Sequence, residues 1–190
     1  MKLKSFASVA ASGVLLAALT PAMSYADINS GNVKFEGTIA AVACKVQVDA
    51  SESGVNTGTV RFGNVLPSVF SGVGTASDFK EFNINLSGAD CTNGKKAAVS
   101  FHKDGFIDNA TGNLRLIDSG AGSASGVQIQ IFNNDAAGEK IDLSENINQQ
   151  LADIVGNKAV LKFKASYVQV RDTIVSGRAD SNINFNVTYN

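Results

Sequence analysis

The chain has 190 residues, with 16 Lys and Arg against 17 Asp and Glu and a formal net charge of −1. Its longest basic run is Lys95-Lys96. Nucleic-acid binding needs several cations on one face, so this charge pattern argues against it and favours protein or glycan partners.

Residues 1–26 have the three parts of a secretory signal peptide. Lys2 and Lys4 supply the positive charge, residues 9–19 form a short apolar run, and Ser24-Tyr25-Ala26 is a small-x-small cleavage site. The apolar run is too short to span a bilayer stably. We therefore predict an exported protein that begins at Asp27, with 190 − 26 = 164 residues, enough chain for one domain with a real core.

Residues 27–40 begin with a polar stretch and continue as an alternating segment. Val33, Phe35, Gly37 and Ile39 share one face, and Lys34, Glu36 and Thr38 share the other. This period of two predicts a β-strand with one apolar face. It runs on into residues 41–44.

Cys44 and Cys91 are the only cysteines, and both lie in the exported part. In an oxidising compartment such a pair favours a disulfide, which would stabilise the fold by roughly 4 kcal/mol in the chain-entropy model. The alternative is a metal site or a nucleophilic thiol. Either would need His102, the single histidine, and no clustered Cys/His spacing is present.

Further alternating or apolar runs are separated by stretches rich in Gly, Asn, Asp and Ser, such as SGADCTNG and SGAGSASG. The predicted strands are 59–62, 79–86, 97–101, 126–132 and 159–170. One stretch, 144–155, has Ile147, Leu151 and Ile154 at helical spacing and predicts a short amphipathic turn or two. The pattern as a whole predicts an all-β sandwich.

The last strand runs from Gly177 to Asn190. Ile183, Phe185, Val187 and Tyr189 alternate with three asparagines and a threonine. This spacing predicts one buried face and one wet face. Because terminal residues fray unless they are tied down, we expect this strand to be docked.

Three of these features together resemble the subunits of chaperone–usher pili, the family of type 1 and P pilus rods. The first is the segment 31–44, an alternating arm that contains Gly37 and ends at a cysteine. The second is the pair of cysteines. The third is the ending, with Gly177 fourteenth from the end and aromatic Tyr189 next to last.

The resemblance implies an incomplete immunoglobulin-like β-sandwich that lacks its final strand and carries an amino-terminal donor-strand extension. The expected organisation is a signal peptide at 1–26, the extension at 27–40 and a pilin domain at 41–190. The donor residues would be Val33, Phe35, Gly37 and Ile39. The edge of the groove, which also binds the chaperone, would comprise Gly177, Ile183, Phe185, Val187 and Tyr189.

The resemblance also implies a function. The chain would be a structural subunit of a bacterial surface fimbria that supports cell adhesion, with no catalytic activity, cofactor or metal. Its partners would be other pilin subunits joined head to tail, a periplasmic chaperone, an outer-membrane usher and a host receptor bound through the pilus. It would pass through the periplasm and end in an extracellular fimbria.

Several alternatives stay open at the level of sequence. An enzyme would need partners for carboxylates such as Asp104, Asp108 and Asp135, and no GxSxG or HExxH motif occurs. A tip adhesin would need a separate lectin domain, for which 164 residues leave no room. A minor adaptor or tip subunit, and a monomeric periplasmic Ig-like binding protein whose arm folds back into its own groove, are the other candidates.

Overall fold

The computed structural model describes residues 44–103, 105–117 and 120–190. The predicted signal peptide and donor arm lie outside these residues. The described part forms eleven β-strands and one turn of 3-10 helix at Pro67–Val69, with no α-helix. The prediction of an all-β fold is therefore confirmed.

The strands are β1 Lys45–Asp49, β2 Glu52–Val55, β3 Gly58–Thr59, β4 Lys80–Ser87, β5 Lys96–Phe101, β6 Ile107–Asp108, β7 Asn113–Leu114, β8 Val127–Asn133, β9 Leu151–Asp153, β10 Lys158–Gln169 and β11 Phe185–Tyr189. Eight of them form one sheet in the order β3-β2-β1-β4-β10-β8-β7-β6. The other three form a second sheet in the order β11-β5-β9. None of the helical structure in the described ranges is long and apolar enough to cross a membrane.

The core lies between the inner faces of the two sheets. Along β10, Leu161 and Phe163 are almost fully buried, and Val160 and Lys162, which alternate with them, are exposed. The Phe163 ring stacks on Phe82 at 5.3 Å between centroids and meets Phe101 edge-on at 5.8 Å. Because the partners of Phe163 come from both sheets, the aromatic contacts fix how the sheets pack.

Cys44 and Cys91 form a disulfide, with 4.4 Å between their Cα atoms. This confirms the pairing and rules out a free thiol or a metal ligand at these positions. The bond ties the residue before β1 to the loop that follows β4, and Cys91 is fully buried.

The helical interpretation of residues 144–155 is wrong. The segment forms turns followed by β9, because Asn146 and Asn148 have the positive φ angles of 53° and 64°. The Asn146 amide also bridges to β5: its Oδ1 accepts from the N–H of Phe101 at 2.9 Å, and its Nδ2 donates to the Phe101 carbonyl at 3.0 Å. Local side-chain to backbone bonding thus competes successfully with the helix.

The predicted strand lengths also need correction at two places. The strand expected at 59–62 is only the two-residue β3, and the chain from 60 to 66 is irregular. The final strand expected at 177–190 runs only from Phe185 to Tyr189.

Candidate functional site

Strand β11 is one of the two edge strands of the three-stranded sheet. It pairs antiparallel with β5, with Phe185 opposite Phe101 and Val187 opposite Val99. Within the described residues, no strand pairs with its other side. An edge of this kind presents backbone donors and acceptors to any chain that lies beside it.

The alternation predicted for this segment is present in the structure. Ile183, Phe185, Val187 and Tyr189 are half-buried and pack against the core, while the polar residues between them are exposed. A strand inside a finished sandwich would bury such side chains more completely. Their partial exposure therefore marks an apolar surface beside the edge.

This surface is one wall of an apolar groove of about 700 Å³. The opposite wall comes from the β1 to β3 region of the other sheet, where it includes Val46 and Val48. The floor is made of core side chains, among them Phe82, Ile84, Phe101, Ile129 and Ile131. The walls belong to different sheets, so the groove is a gap in the side of the sandwich that reaches its core.

Tyr189 lies at one end of the groove. The pKa of its hydroxyl is raised, because the effect of partial burial is larger than that of a hydrogen bond from the Cys44 backbone amide, which lowers the pKa. This contact places the end of β11 beside the residue from which the chain enters the fold.

A second cavity of about 880 Å³, which we call the end cavity, adjoins the other end of the groove. The two share Thr59, Val60, Phe62, Ile129 and Ser181.

Phe62 packs on Tyr167 with 4.3 Å between ring centroids. The Tyr167 hydroxyl donates to the Ala179 carbonyl at 2.8 Å, and its burial, with the nearby Asp180 carboxylate, raises the pKa of Tyr167 to about 12. The Tyr167 hydroxyl therefore stays protonated, and its hydrogen bond to Ala179 holds the segment that leads into β11.

Four of the five residues predicted for the groove edge come together, and Gly177 does not join them. It lies outside β11 and lines the end cavity instead of the groove. A Cβ at this position would stand 2.4 Å from the Gly122 carbonyl oxygen and 2.7 Å from the Ala124 nitrogen. In the structure its small size allows close packing of two loops.

The carboxylates considered for an enzyme have structural partners. Asp108 accepts from the Ala110 N–H at 2.9 Å and from Gln128 Nε2 at 2.8 Å, and these bonds lower its pKa. Asp135 accepts from the N–H groups of Ala137 and Gly138, which lower its pKa in the same way. Asp104 lies outside the described residues. Across the described ranges, no group of three or more His, Cys, Asp or Glu is placed to hold a metal ion.

The opposite wall of the groove was missed by the sequence analysis. Val46 and Val48 alternate with Lys45, Gln47 and Asp49, which is the same period of two that identifies β11. The signal was therefore present in β1, but it is only five residues long and follows directly on the cysteine.

Comparison with known proteins agrees with this fold. The family model described as "Fimbrial protein" matches residues 33–190. Long polar fimbria protein A of Salmonella typhimurium is 30% identical over 174 residues, which cover 92% of each chain. The probable major fimbrial subunit LpfA of Escherichia coli O157:H7 is 34% identical over 164 residues, which cover 86% of each.

Among solved structures, a chain from a chaperone–usher pilus has a TM-score of 0.55 at 19% identity, covering 86% of this chain and 97% of that one. This likeness shows the fold. The family match and the curated relatives extend over most of the sequence. The chain therefore belongs to the fimbrial protein family, whose members are structural pilus subunits and not enzymes.

Proposed function

We propose that copies of this structural subunit polymerise head to tail, each groove receiving the amino-terminal strand of the next copy. The observation that carries the proposal is the apolar groove beside the side of β11 that no other described strand pairs with. A strand laid there would add main-chain hydrogen bonds along β11 and place alternate side chains against the core. Donor-strand complementation of pilins is an established example of such strand addition.

The arm has the character that this groove requires. Val33, Phe35 and Ile39 share one face, and each would contribute on the order of 1.5–3 kcal/mol if fully buried. Gly37 shares that face in the sequence pattern and would leave space where the groove wall comes too close for a side chain. The contact is heterologous, so it propagates into a filament instead of closing.

Before assembly, the groove needs a temporary occupant, because an apolar gap of this size is an aggregation hazard in a free monomer. A periplasmic chaperone that lends a strand to β11 would meet this need, and an outer-membrane usher would catalyse its exchange for the arm. The product would be an extracellular fimbria that supports cell adhesion through a host receptor. These partners are proposed by analogy with the family.

The test compares two leucine substitutions in the arm. Gly37→Leu places a bulky side chain on the groove-facing side, and Glu36→Leu places the same side chain on the outer side. We expect Gly37→Leu to abolish surface fibres seen by electron microscopy while the subunit still accumulates in a folded, disulfide-bonded form. Glu36→Leu should leave fibres intact. Fibres of normal length from Gly37→Leu would reject the proposed mode of assembly.

A further inference from the structure

The four arginines of the chain gather at the end of the described domain where the end cavity lies. Arg61 and Arg178 line the end cavity, and Arg115 and Arg171 line an adjoining polar cavity of about 550 Å³. No lysine lines either cavity, although the chain has 12 lysines (16 basic residues minus 4 arginines). Arginine is enriched and lysine depleted in protein interfaces, so this end has the composition of a contact surface.

Exposed apolar side chains lie at the same end, which we call the arginine end. Leu66 is 64% exposed and Val175 is 52% exposed, and both line the end cavity. Val73, at 60% exposed, lies on the same loop as Leu66, and the neighbouring Gly74 donates to the Gln169 carbonyl at the end of β10. Apolar side chains rimmed by arginine are typical of a surface that another protein covers.

The place of this surface in a fibre follows from the proposed donor strand, on which this inference rests. Four residues, 40–43, separate Ile39 of the arm from Cys44 of the folded domain. They span at most about 18 Å. The body of a donor copy must therefore lie close to the groove end that receives Ile39.

Only one groove end can accept that body without blocking growth. Tyr189 lies beside Cys44, where the acceptor's own chain leaves its fold toward the next groove. A donor body at that end would occupy the path of the acceptor's arm. The donor body therefore lies at the other end, where the groove continues into the end cavity and the arginines.

The surface that the donor offers is the end of its domain around Cys44. Val155, 74% exposed, lies on the tight turn that connects β9 to β10, where its backbone exchanges two hydrogen bonds with Lys158; we call this turn the Val155 hairpin. This hairpin is held to the disulfide loop, since Ile154 donates to the Lys95 carbonyl at 2.8 Å and Asn157 Nδ2 donates to the Cys91 carbonyl at 2.8 Å. We propose that the Val155 hairpin of one copy packs on the exposed Leu66 loop at the arginine end of the next copy, as a second contact besides the donor strand.

The ionic pattern at the arginine end fits this partner. Arg61 bonds Glu52 through two nitrogens, and Arg178 lies 3.6 Å from Asp180. Arg115 donates to the Gly105 carbonyl, and among the described residues neither Arg115 nor Arg171 forms an ion pair. The loop that carries Cys91 also carries the exposed Asp90, so the donor brings a carboxylate to the end where these two arginines have no ion-pair partner among the described residues.

The experiment uses thiol cross-linking in assembled fibres. The variant Leu66→Cys with Val155→Cys is expressed as the full chain, and its purified fibres are treated with a short bifunctional thiol reagent. We expect a ladder of covalent multimers on a denaturing gel, because each copy links to the next. The control replaces Leu66→Cys by Leu151→Cys, a leucine of similar exposure (59% against 64%) on β9. It should give no ladder.

The outcomes separate this inference from the proposed function. Fibres that assemble normally but give no ladder with Leu66→Cys and Val155→Cys would overturn the inference and leave donor-strand assembly standing. A ladder of equal intensity from the Leu151→Cys control would also overturn it. If the unmodified chain forms no fibres at all, the proposed function itself fails.

Discussion

Gly177 shows how a single residue can shape the approach to the groove. The atoms that a Cβ would meet, the Gly122 oxygen at 2.4 Å and the Ser123 carbon at 2.6 Å, belong to the backbone and cannot swing away. We expect Gly177→Ala to lower the free energy of unfolding by about 1–3 kcal/mol through overpacking. Urea denaturation of the purified subunit measures this. Gly105→Ala is the matched control, because a Cβ there meets nothing within 4 Å, and equal losses in the two variants would contradict the explanation.

At the scale of the element, β11 offers two neighbouring positions that point to opposite sides. Val187 is half-buried and lines the groove, and the exposed Thr188 beside it does not line the groove. Val187→Lys removes apolar area that a donor strand would cover, worth about 1.5–3 kcal/mol when a valine is fully buried, and places a charge there. We expect fibre formation to fall tenfold or more, measured as the polymerised fraction on gels of unheated samples. Thr188→Lys should assemble like the unmodified chain, and a similar loss in both variants would show that strand pairing, not the groove, was disturbed.

The elements that could be predicted from sequence are those whose period is long enough to be read locally. Strands β4, β5, β8 and β10 have five or more residues in regular alternation or an apolar run, and their positions were predicted to within one or two residues. The two-residue strands β3, β6 and β7 have no period at all, since tertiary pairing alone defines them. The helical pattern at 144–155 failed for a different reason: Asn146 and Asn148 take positive φ angles that hydrophobic spacing does not report.

At the scale of the whole molecule, half of the candidate site was open to prediction. The groove-facing side of β11 follows from the alternation of Ile183 through Tyr189. The groove itself needs the second wall, and Val46 and Val48 reach it only because β1 lies in the other sheet beside β4. A local sequence pattern does not indicate which strand lies on the opposite side of the groove. The position of the second wall follows only from the topology of the complete fold.

The disulfide stabilises this arrangement because the loop that it closes contains β1 to β4, and these strands supply the second wall of the groove and part of its floor. Cys44 and Cys91 are 47 residues apart, and closing such a loop stabilises a fold by about 4 kcal/mol in the chain-entropy model. Domains of this size are stable by roughly 5–15 kcal/mol, so this is a large share. We expect the double variant Cys44→Ala with Cys91→Ala to lose about that much in urea unfolding, and its midpoint to be indifferent to dithiothreitol, while the midpoint of the unmodified chain falls on reduction. An unchanged urea midpoint in the double variant would mean that β1 is held to β4 by sheet pairing and core packing alone, and that the groove wall does not depend on the crosslink.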